Sequence, residues 1–208
     1  MQKSVEDLLK KLKEGVKAGE FTISCEDPKP GRFAEEFNLD LAVSKDGEHT
    51  HLLHAKVFGG RGYYREWVEI FGIKREVMGV PYFGSELEKT ILDLFSFTGR
   101  IFVEYFEDKE TTRELSMGVP PALSRLGFEL ATRGYTWFKD WYFPEGLMEG
   151  GHKLQGEKTD RKEVQVKRLN KLRGDLGSFL ETCKDQHLVD SVLGRFKILE
   201  DLWKREFL

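Results

Sequence analysis

The sequence predicts a mixed α/β (α+β) protein of 208 residues that ends in a helical hairpin. Residues 21–73 alternate apolar and polar side chains between turn signals, which is typical of antiparallel strands. Residues 85–143 follow a helix–strand–helix–strand order, and apolar residues return at helical spacing beyond Asp160. We therefore expect an α/β core over 1–158 and a helical pair over 159–208 that packs on the core or at an oligomer interface.

The first half predicts one helix followed by four strands. Ser4 can cap a helix whose apolar stripe ends near Gly15. Lys45-Asp46-Gly47-Glu48 is a hairpin signal, because Asp-Gly adopts the positive φ angles that tight turns between antiparallel strands need. The predicted strands cover residues 21–25, 33–43, 50–58 and 63–73.

The second half predicts alternating helices and strands, a loop and two long helices. Ser85-Glu-Leu-Glu88 is a capping box that begins a helix ending near Gly99. The two strands that follow could lie parallel, because a helix separates them along the chain. The remaining predicted elements are a strand over 101–106, a helix over 121–133, a strand over 135–143, a glycine-rich loop over 144–158 and helices from Asp160 and Leu188.

Composition excludes several classes of protein. The chain carries 33 basic and 36 acidic residues, so its net charge of −3 argues against nucleic acid as the main partner. The longest apolar run is far below the roughly eighteen residues of a membrane span, and residues 1–17 do not resemble a signal peptide. Cys25 and Cys183 are too few for a disulfide framework. We expect a cytoplasmic protein with a small-molecule ligand, and the scarcity of Asn and Gln suggests adaptation to heat.

The loop over 144–158 is the first candidate site. Long loops without secondary structure are often functional, and this one contains four glycines that would let a ligand approach the backbone. The alternative is a mobile surface loop. The candidate substrate or lid residues are Glu145, Glu149, His152, Lys153 and Glu157.

The segment before Pro121 is the second candidate site. A loop that leaves a strand and enters a helix is where α/β proteins bind phosphate groups, since free backbone N–H groups and the helix dipole point there. Arg125 would add positive charge. The alternative is a plain helix-entry turn, and the amides in question belong to Ser116, Met117, Gly118 and Val119.

Charged residues within the aromatic strands form the third candidate. Glu104 is predicted to lie between Phe102 and Phe106 on one strand face, and Asp140 has a similar place in the later strand. A partly desolvated carboxylate has a raised pKa, as a general acid or base needs. Structural ion pairs, including one with Lys139, explain the same residues.

Three weaker signals complete the search. His49, His51 and His54 contain ligand-type side chains, and strand alternation predicts that His49 and His51 share a face while His54 points the other way. Gly59-Gly-Arg-Gly62 is superficially a phosphate-binding turn. The basic front of the helix after Asp160 is a candidate anion contact, or a solvated helix face.

Four blocks of the chain resemble an uncharacterised family of archaeal and bacterial proteins, which is similar at fold level to the GNAT-type N-acetyltransferases. The resemblance is strongest over 100–158. The blocks are Phe102-Val-Glu-Tyr105, Gly118-Val-Pro-Pro-Ala-Leu-Ser-Arg-Leu-Gly127, Trp137-Phe-Lys-Asp-Trp-Tyr-Phe-Pro-Glu-Gly146 and Glu149-Gly-Gly-His-Lys-Leu-Gln-Gly-Glu-Lys158.

The resemblance implies a GNAT-like mixed sheet with helices on both faces, and acyl transfer from acetyl-coenzyme A or another acyl-coenzyme A to an amine. It implies a pyrophosphate site at residues 116–119. Glu104 would be the base and Tyr142 the acid, with Asp140 as a further catalytic carboxylate. The alternative is a non-catalytic module that binds a small ligand or a protein on the same fold, with 144–158 as a lid. A third alternative is a structural homodimer through the C-terminal helices, which would expose the apolar stripe of Phe196, Leu199 and Trp203.

Overall fold

The computed structural model describes residues 3–60, 65–143 and 151–207. Their contacts divide the chain into two compact units, unit 1 up to Glu104 and unit 2 from Tyr105 onwards. The protein is a mixed α+β structure, and no described helix combines the length and apolar character needed to cross a membrane.

Unit 1 is built on a mixed sheet. Its strands follow the order β1-β2-β4-β5-β6-β9, with β3 beside β4. Strands β6 and β9 are parallel, whereas the other described pairs in this unit are antiparallel. The elements are α1 (Lys3–Glu14), β1 (Val16–Ala18), β2 (Phe21–Ser24), β3 (Lys29–Pro30), β4 (Glu36–Lys45), β5 (Glu48–Phe58), β6 (Trp67–Phe71), β7 (Glu76–Val77), β8 (Val80–Pro81), α2 (Glu86–Phe95) and β9 (Arg100–Glu104).

The β4–β5 hairpin confirms the predicted turn and adds an irregularity. Asp46 and Gly47 have φ angles of 50° and 86°, which is the backbone that an Asp-Gly hairpin turn requires. Further along, β5 pairs His54 with Asp40 but His51 with Ala42, so the register shifts by one residue between Leu41 and Ala42. This β-bulge changes which side chains of β5 share a face.

Unit 2 follows a different plan, with helices packed around a short hairpin. Strands β10 and β11 pair antiparallel, with Asp140 opposite Leu154 and Tyr142 opposite His152. The elements are α3 (Lys109–Ser116), a 3₁₀ helix (Pro121–Leu123), α4 (Arg125–Ala131), β10 (Trp137–Phe143), β11 (Gly151–Glu157), α5 (Lys162–Thr182) and α6 (Gln186–Phe207).

Two predictions about 107–133 are wrong. The expected loop before Pro121 contains α3, which Asp108 caps by accepting a hydrogen bond from the Thr111 amide at 3.2 Å. The expected single helix over 121–133 is a 3₁₀ turn followed by α4, with Ser124 as the cap between them. A Cβ atom on Gly127 would lie 1.7 Å from the Pro121 carbonyl oxygen, so glycine is required where these two elements meet.

The prediction of a structureless loop over 144–158 is also wrong, because residues 151–157 form β11. The strand has one strongly apolar residue, Leu154, which is fully buried, and its neighbours Lys153 and Gln155 are also buried. Pairing with the aromatic strand β10 supplies the packing that the β11 sequence lacks. Gly156 lets this strand approach closely, since a Cβ there would lie 3.2 Å from the Tyr135 ring.

The C-terminal helices share one apolar core with the middle of unit 2. Leu169 and Leu176 of α5 and Leu199 of α6 are buried with Leu123 and Ala131. The stripe of Phe196, Leu199 and Trp203, expected to be exposed if these helices form a dimer scaffold, packs in this core instead. These three residues therefore do not form an exposed surface for a dimer. The homodimer itself stays a prediction.

An ion pair with several hydrogen bonds links α3 to α6. The Arg195 guanidinium donates to both carboxylate oxygens of Glu114, at 2.7 and 2.9 Å, and to the carbonyl oxygen of Leu123 at 3.0 Å. Burial raises the pKa of Glu114, against the opposing effect of Arg195. This buried pair fixes the position of α3 against the helical hairpin.

Candidate functional site

A tyrosine at the start of unit 2 brings together two of the residues that the sequence singled out. The buried Tyr105 hydroxyl donates a hydrogen bond to Asp140 Oδ1 on β10 at 2.6 Å. The same hydroxyl oxygen lies 3.3 Å from His152 Nδ1 on β11. Because Asp140 stands opposite Leu154 in the antiparallel ladder, Asp140 and His152 lie on the same face of the hairpin. We call Tyr105, Asp140 and His152 the acid–base group.

The hydrogen bonds fix the protonation of this group. Burial, followed by the adjacent Asp140 carboxylate, raises the pKa of Tyr105 far above its usual value, so the phenol stays protonated. Its one hydrogen goes to Asp140, which leaves the phenol oxygen only as an acceptor for His152. In this arrangement a neutral His152 donates its Nδ1 hydrogen to the phenol oxygen.

The acid–base group is open to ligands on one side. Asp140 is exposed and His152 half-buried. The Phe106 ring stacks against the His152 ring, with centroids 6.4 Å apart and planes 6° from parallel, yet 60% of Phe106 remains exposed. An exposed aromatic ring beside a basic nitrogen gives a substrate an apolar surface at the point where a proton would be transferred.

The other predicted residues of the hairpin stabilise its structure. The indole nitrogen of Trp141 donates to Gln155 Oε1 at 2.6 Å, and the Gln155 amide donates to Glu157 Oε1 at 2.8 Å. Lys153 is buried, and the Lys139 ammonium lies 3.4 Å from the centroid of the Trp141 ring. Glu145 and Glu149 lie outside the described residues, as does the side chain of Tyr142.

The expected anion site at residues 116–119 does not have free amides. The segment is the C-terminal end of α3, where carbonyl groups and the negative end of the helix dipole gather. The amides of Met117, Gly118 and Val119 all donate to carbonyl oxygens of α3, and Ser116 Oγ donates to Arg113 O at 2.7 Å. The expectation of free donors is wrong, because α3 was not predicted.

Arg125 is committed to a buried ion pair. Its Nε donates to Asp108 Oδ2 at 2.9 Å, and its Nη2 to the same oxygen at 2.5 Å. The two side chains are 12% and 3% exposed. Arg125 therefore joins the beginning of α4 to the N-cap of α3. This is a structural role, as in the alternative of a plain helix-entry turn, and not an anion-binding role.

Glu104, the expected base, lies at the end of β9 in unit 1. Its Oε2 accepts a hydrogen bond from the Gly72 amide at 2.6 Å. Strand β9 ends at Glu104, so Phe106 does not continue the predicted strand face. A Cβ on Gly72 would lie 2.8 Å from the His54 ring, and φ is +59° there, so only glycine suits this position.

The β-bulge assembles a second polar cluster in unit 1. His51 and His54, predicted to face opposite ways, lie side by side with ring centroids 4.4 Å apart. His54 Nδ1 lies 2.6 Å from Asp40 Oδ1, and this hydrogen bond is the main cause that lowers the pKa of Asp40. Burial, then the charges of His54 and Lys74, lower the pKa of His51. The prediction of strict alternation is wrong, because the bulge inserts one residue.

The three histidines do not belong to a complete metal-ligand set in the part of the chain that the structure describes. His49 is opposite Ser44, near the hairpin tip and away from His54. Within residues 3–60, 65–143 and 151–207, no three His, Cys, Asp or Glu side chains are placed to hold a metal ion.

Comparison with known proteins gives the family. Residues 19–183 match the family model described as "Protein of unknown function (DUF1122)". The chain belongs to this DUF1122 family. The resemblance to an uncharacterised family is thereby confirmed at its coarser level, and the match includes all three residues of the acid–base group.

A solved structure supports the same assignment. The chain is 48% identical to a protein of unknown function, AQ1966 from Aquifex aeolicus VF5, with a TM-score of 0.87. The alignment covers 96% of this chain and 100% of that one. No curated protein matches the sequence. This DUF1122 chain and AQ1966 therefore share a fold over nearly their whole lengths.

Proposed function

We propose that this DUF1122 protein is a GNAT-like N-acyltransferase in which the acid–base group handles the proton of the acceptor amine. The observation that carries the proposal is the convergence of Asp140 and His152 on the Tyr105 hydroxyl, at 2.6 and 3.3 Å. Both residues were singled out from the sequence on separate grounds. An oriented histidine beside a carboxylate is the arrangement that general-base catalysis uses.

The proton path follows from the tautomer of His152. An acceptor amine that attacks the acyl carbon of a thioester becomes positively charged, and His152 Nε2 takes up the proton that it must lose. The C–S bond then breaks, and the imidazolium returns the proton to the leaving thiolate, which restores neutral His152. Asp140 stabilises the imidazolium that results, while Tyr105 holds both side chains in place. The phenol itself does not act as the acid, because its pKa is raised. This assigns the base to His152 instead of Glu104.

Acetyl-coenzyme A, or another acyl-coenzyme A, is the acyl donor that the resemblance implies. The residues expected to bind its pyrophosphate do not fit that role, because the amides of 117–119 are bonded within α3 and Arg125 is paired with Asp108. The proposal therefore derives no step from residues 116–119. It depends on the acid–base group alone.

The test measures thiol release from acetyl-coenzyme A with a panel of small amines. We expect His152→Asn, which keeps a donor near the Nδ1 position but has no basic nitrogen, to lower kcat/KM by about 100-fold or more. Asp140→Asn and Tyr105→Phe should also lower it. Asp160→Asn, the same change at another exposed aspartate, should have no effect. Equal activity of His152→Asn and the unaltered protein would overturn the assignment.

A second candidate function is a non-catalytic module that binds a small ligand at the same group. The exposed Phe106 ring favours it, since such a ring binds apolar groups without any chemistry. Ligands that raise Tm without any turnover would select this candidate. In that case, Phe106→Ala should abolish the rise in Tm, whereas His152→Asn should only reduce it.

A further inference from the structure

A cleft in unit 1 lies between α1 and the C-terminal half of α2. Its volume is about 450 Å³, within the size range of small-molecule sites. One wall is a face of α1 together with Val16 of β1, and the other is the end of α2 together with Ser96 and Phe97. All of these residues belong to unit 1, so the cleft is separate from the acid–base group.

The apolar residues of this cleft are its less exposed ones. Leu8 of α1 is 3% exposed, and Val16, Leu94 and Phe97 are half-buried. They give the cleft an apolar base on which the hydrocarbon part of a ligand can be removed from water.

The charges of the cleft favour a cation. Asp7 of α1 and Asp93 of α2 are exposed and line it, and Lys11 is the one positive residue among the described residues that do so. Asp93 stands in the last turn of α2, where the negative end of the helix dipole lies. That turn, which the structure describes in full, contains no basic residue to balance either charge.

The hydrogen-bonding groups of the cleft are mainly acceptors. The Thr90 hydroxyl donates its hydrogen to Glu86 O at 2.8 Å, and the Ser96 hydroxyl donates its hydrogen to Asp93 O at 2.8 Å. Because a hydroxyl has a single hydrogen, each of these oxygens can only accept from a ligand, as a carboxylate does. An ammonium group has three N–H donors, no acceptor and a positive charge, and therefore matches this set.

We propose that this cleft binds a small organic ammonium ion, whose N–H groups donate to Asp7, Asp93 and the Thr90 hydroxyl. Its hydrocarbon body lies on Leu8 and Phe97. The proposal does not depend on acyl transfer, because none of these residues belongs to the acid–base group.

Three ligands with one hydrocarbon body and different charges test the proposal: 4-phenylbutylammonium, 4-phenylbutanol and 4-phenylbutyrate. Each is titrated at pH 7 into the full chain labelled with ¹⁵N and followed by NMR. At low salt the ammonium ion should bind about fivefold more tightly than the alcohol, and the carboxylate should bind most weakly. High salt should reduce these differences, because it screens exposed charges. The amide signals of Leu8, Thr90 and Phe97 should shift and so locate the ligand.

Substitutions of opposite charge should have opposite effects. Asp7→Asn and Asp93→Asn should each weaken binding of the ammonium ion about two- to threefold and leave binding of the alcohol unchanged. Lys11→Gln should strengthen it by a similar factor, because it removes a repulsive charge. Glu6→Gln is the matched control, since Glu6 is an exposed acid of α1 that does not line the cleft.

Three results would overturn the proposal. One is equal affinity for the ammonium ion and the alcohol, which would leave an apolar groove with no preference for charge. Another is a set of shifted amides confined to residues outside the cleft. The third is an unchanged affinity for the ammonium ion in both Asp93→Asn and Lys11→Gln. All the substituted side chains are exposed, and circular dichroism of each variant confirms that the fold is kept.

Discussion

Single residues at close contacts determine much of this structure, and Gly127 is the clearest case. Its missing Cβ would overlap the Pro121 carbonyl oxygen at 1.7 Å, so that atom cannot be added without moving the backbone. Gly174 of α5 is a matched contrast, because nothing lies within 4 Å of its missing Cβ. The same substitution should therefore have opposite effects at the two sites.

We expect Gly127→Ala to lower the free energy of unfolding by about 1–3 kcal/mol through overpacking. Gly174→Ala should raise it by roughly 0.5–1 kcal/mol, since alanine loses less backbone entropy in a helix. Urea unfolding of both variants measures the difference. Similar changes in the two proteins would contradict the contact at Pro121.

The histidine pair in unit 1 predicts a dependence of stability on pH. Because the pKa of His51 is lowered in the folded state, the unfolded chain takes up this proton first as the pH falls below about 6.5. The fold should therefore lose stability between pH 7.5 and 5.5, above the range in which carboxylates titrate. The His51→Gln variant should lose less free energy of unfolding over this interval, which urea unfolding at both pH values measures.

His49→Gln is the control for the histidine pair. It makes the same substitution near the hairpin tip and should keep the full loss of stability between the two pH values. The same loss in His51→Gln as in the unaltered protein would show that His51 does not cause the dependence.

At the scale of elements, the sequence predicts those with apolar periodicity and misses those held by polar side chains. Helix α3 has a single large apolar residue, Leu115, and its buried positions are Thr111 and Glu114. Thr111 Oγ1 accepts a hydrogen bond from the Leu126 amide, and the Glu114 carboxylate accepts one from Arg195. Both donors come from later parts of the chain. Periodicity of apolar residues cannot detect such a helix, because its partners are fixed by the tertiary structure.

The candidate site shows the same limit. The sequence predicts Asp140 because it is a carboxylate between aromatic residues of a strand, and it predicts His152 because that residue lies in a glycine-rich segment with many titratable groups. Sequence reasoning misses Tyr105, because one more aromatic residue within the predicted strand over 101–106 cannot be distinguished from a core residue. The β-bulge that joins His51 to His54 has no local signature either, as it arises from the register of β4 against β5.

The ion pair between Glu114 of α3 and Arg195 of α6 predicts that replacing Arg195 lowers the free energy of unfolding by a large amount that depends on pH. Arg195→Met leaves the buried Glu114 carboxylate without its charged partner, with only the Arg125 amide still donating to it, and should destabilise the fold by about 3–5 kcal/mol. Because the pKa of Glu114 is raised in the folded state, lowering the pH protonates it there first and should reduce this loss. Urea unfolding at pH 8 and pH 5 tests both statements.

The exposed pair of Arg173 with Glu200 gives the comparison. These groups are 42% and 23% exposed, so Arg173→Met should cost less than about 1 kcal/mol. A loss from Arg195→Met no larger than that from Arg173→Met would mean that burial does not determine the strength of the pair.

At the scale of the whole molecule, charge is abundant but nearly balanced. Charged residues make up 33% of the chain while the net charge is only −3. Several described ion pairs lie at the surface, including Lys45 with Glu20 at 2.7 Å and Lys171 with Asp175 at 2.6 Å. With so little net charge, salt has little overall repulsion to relieve, and its main effect is to screen these attractions.

This balance predicts a heat-resistant protein whose Tm falls with salt. Networks of surface ion pairs contribute most at high temperature, because the cost of removing water from charges decreases there. We expect a Tm above the roughly 45–65 °C of mesophilic domains, and a decrease of a few degrees between 0.05 and 1 M NaCl, measured by calorimetry. The triple variant Lys45→Gln, Lys171→Gln and Arg173→Gln should show a smaller decrease. An equal decrease in both proteins would mean that the surface pairs do not set the thermal stability.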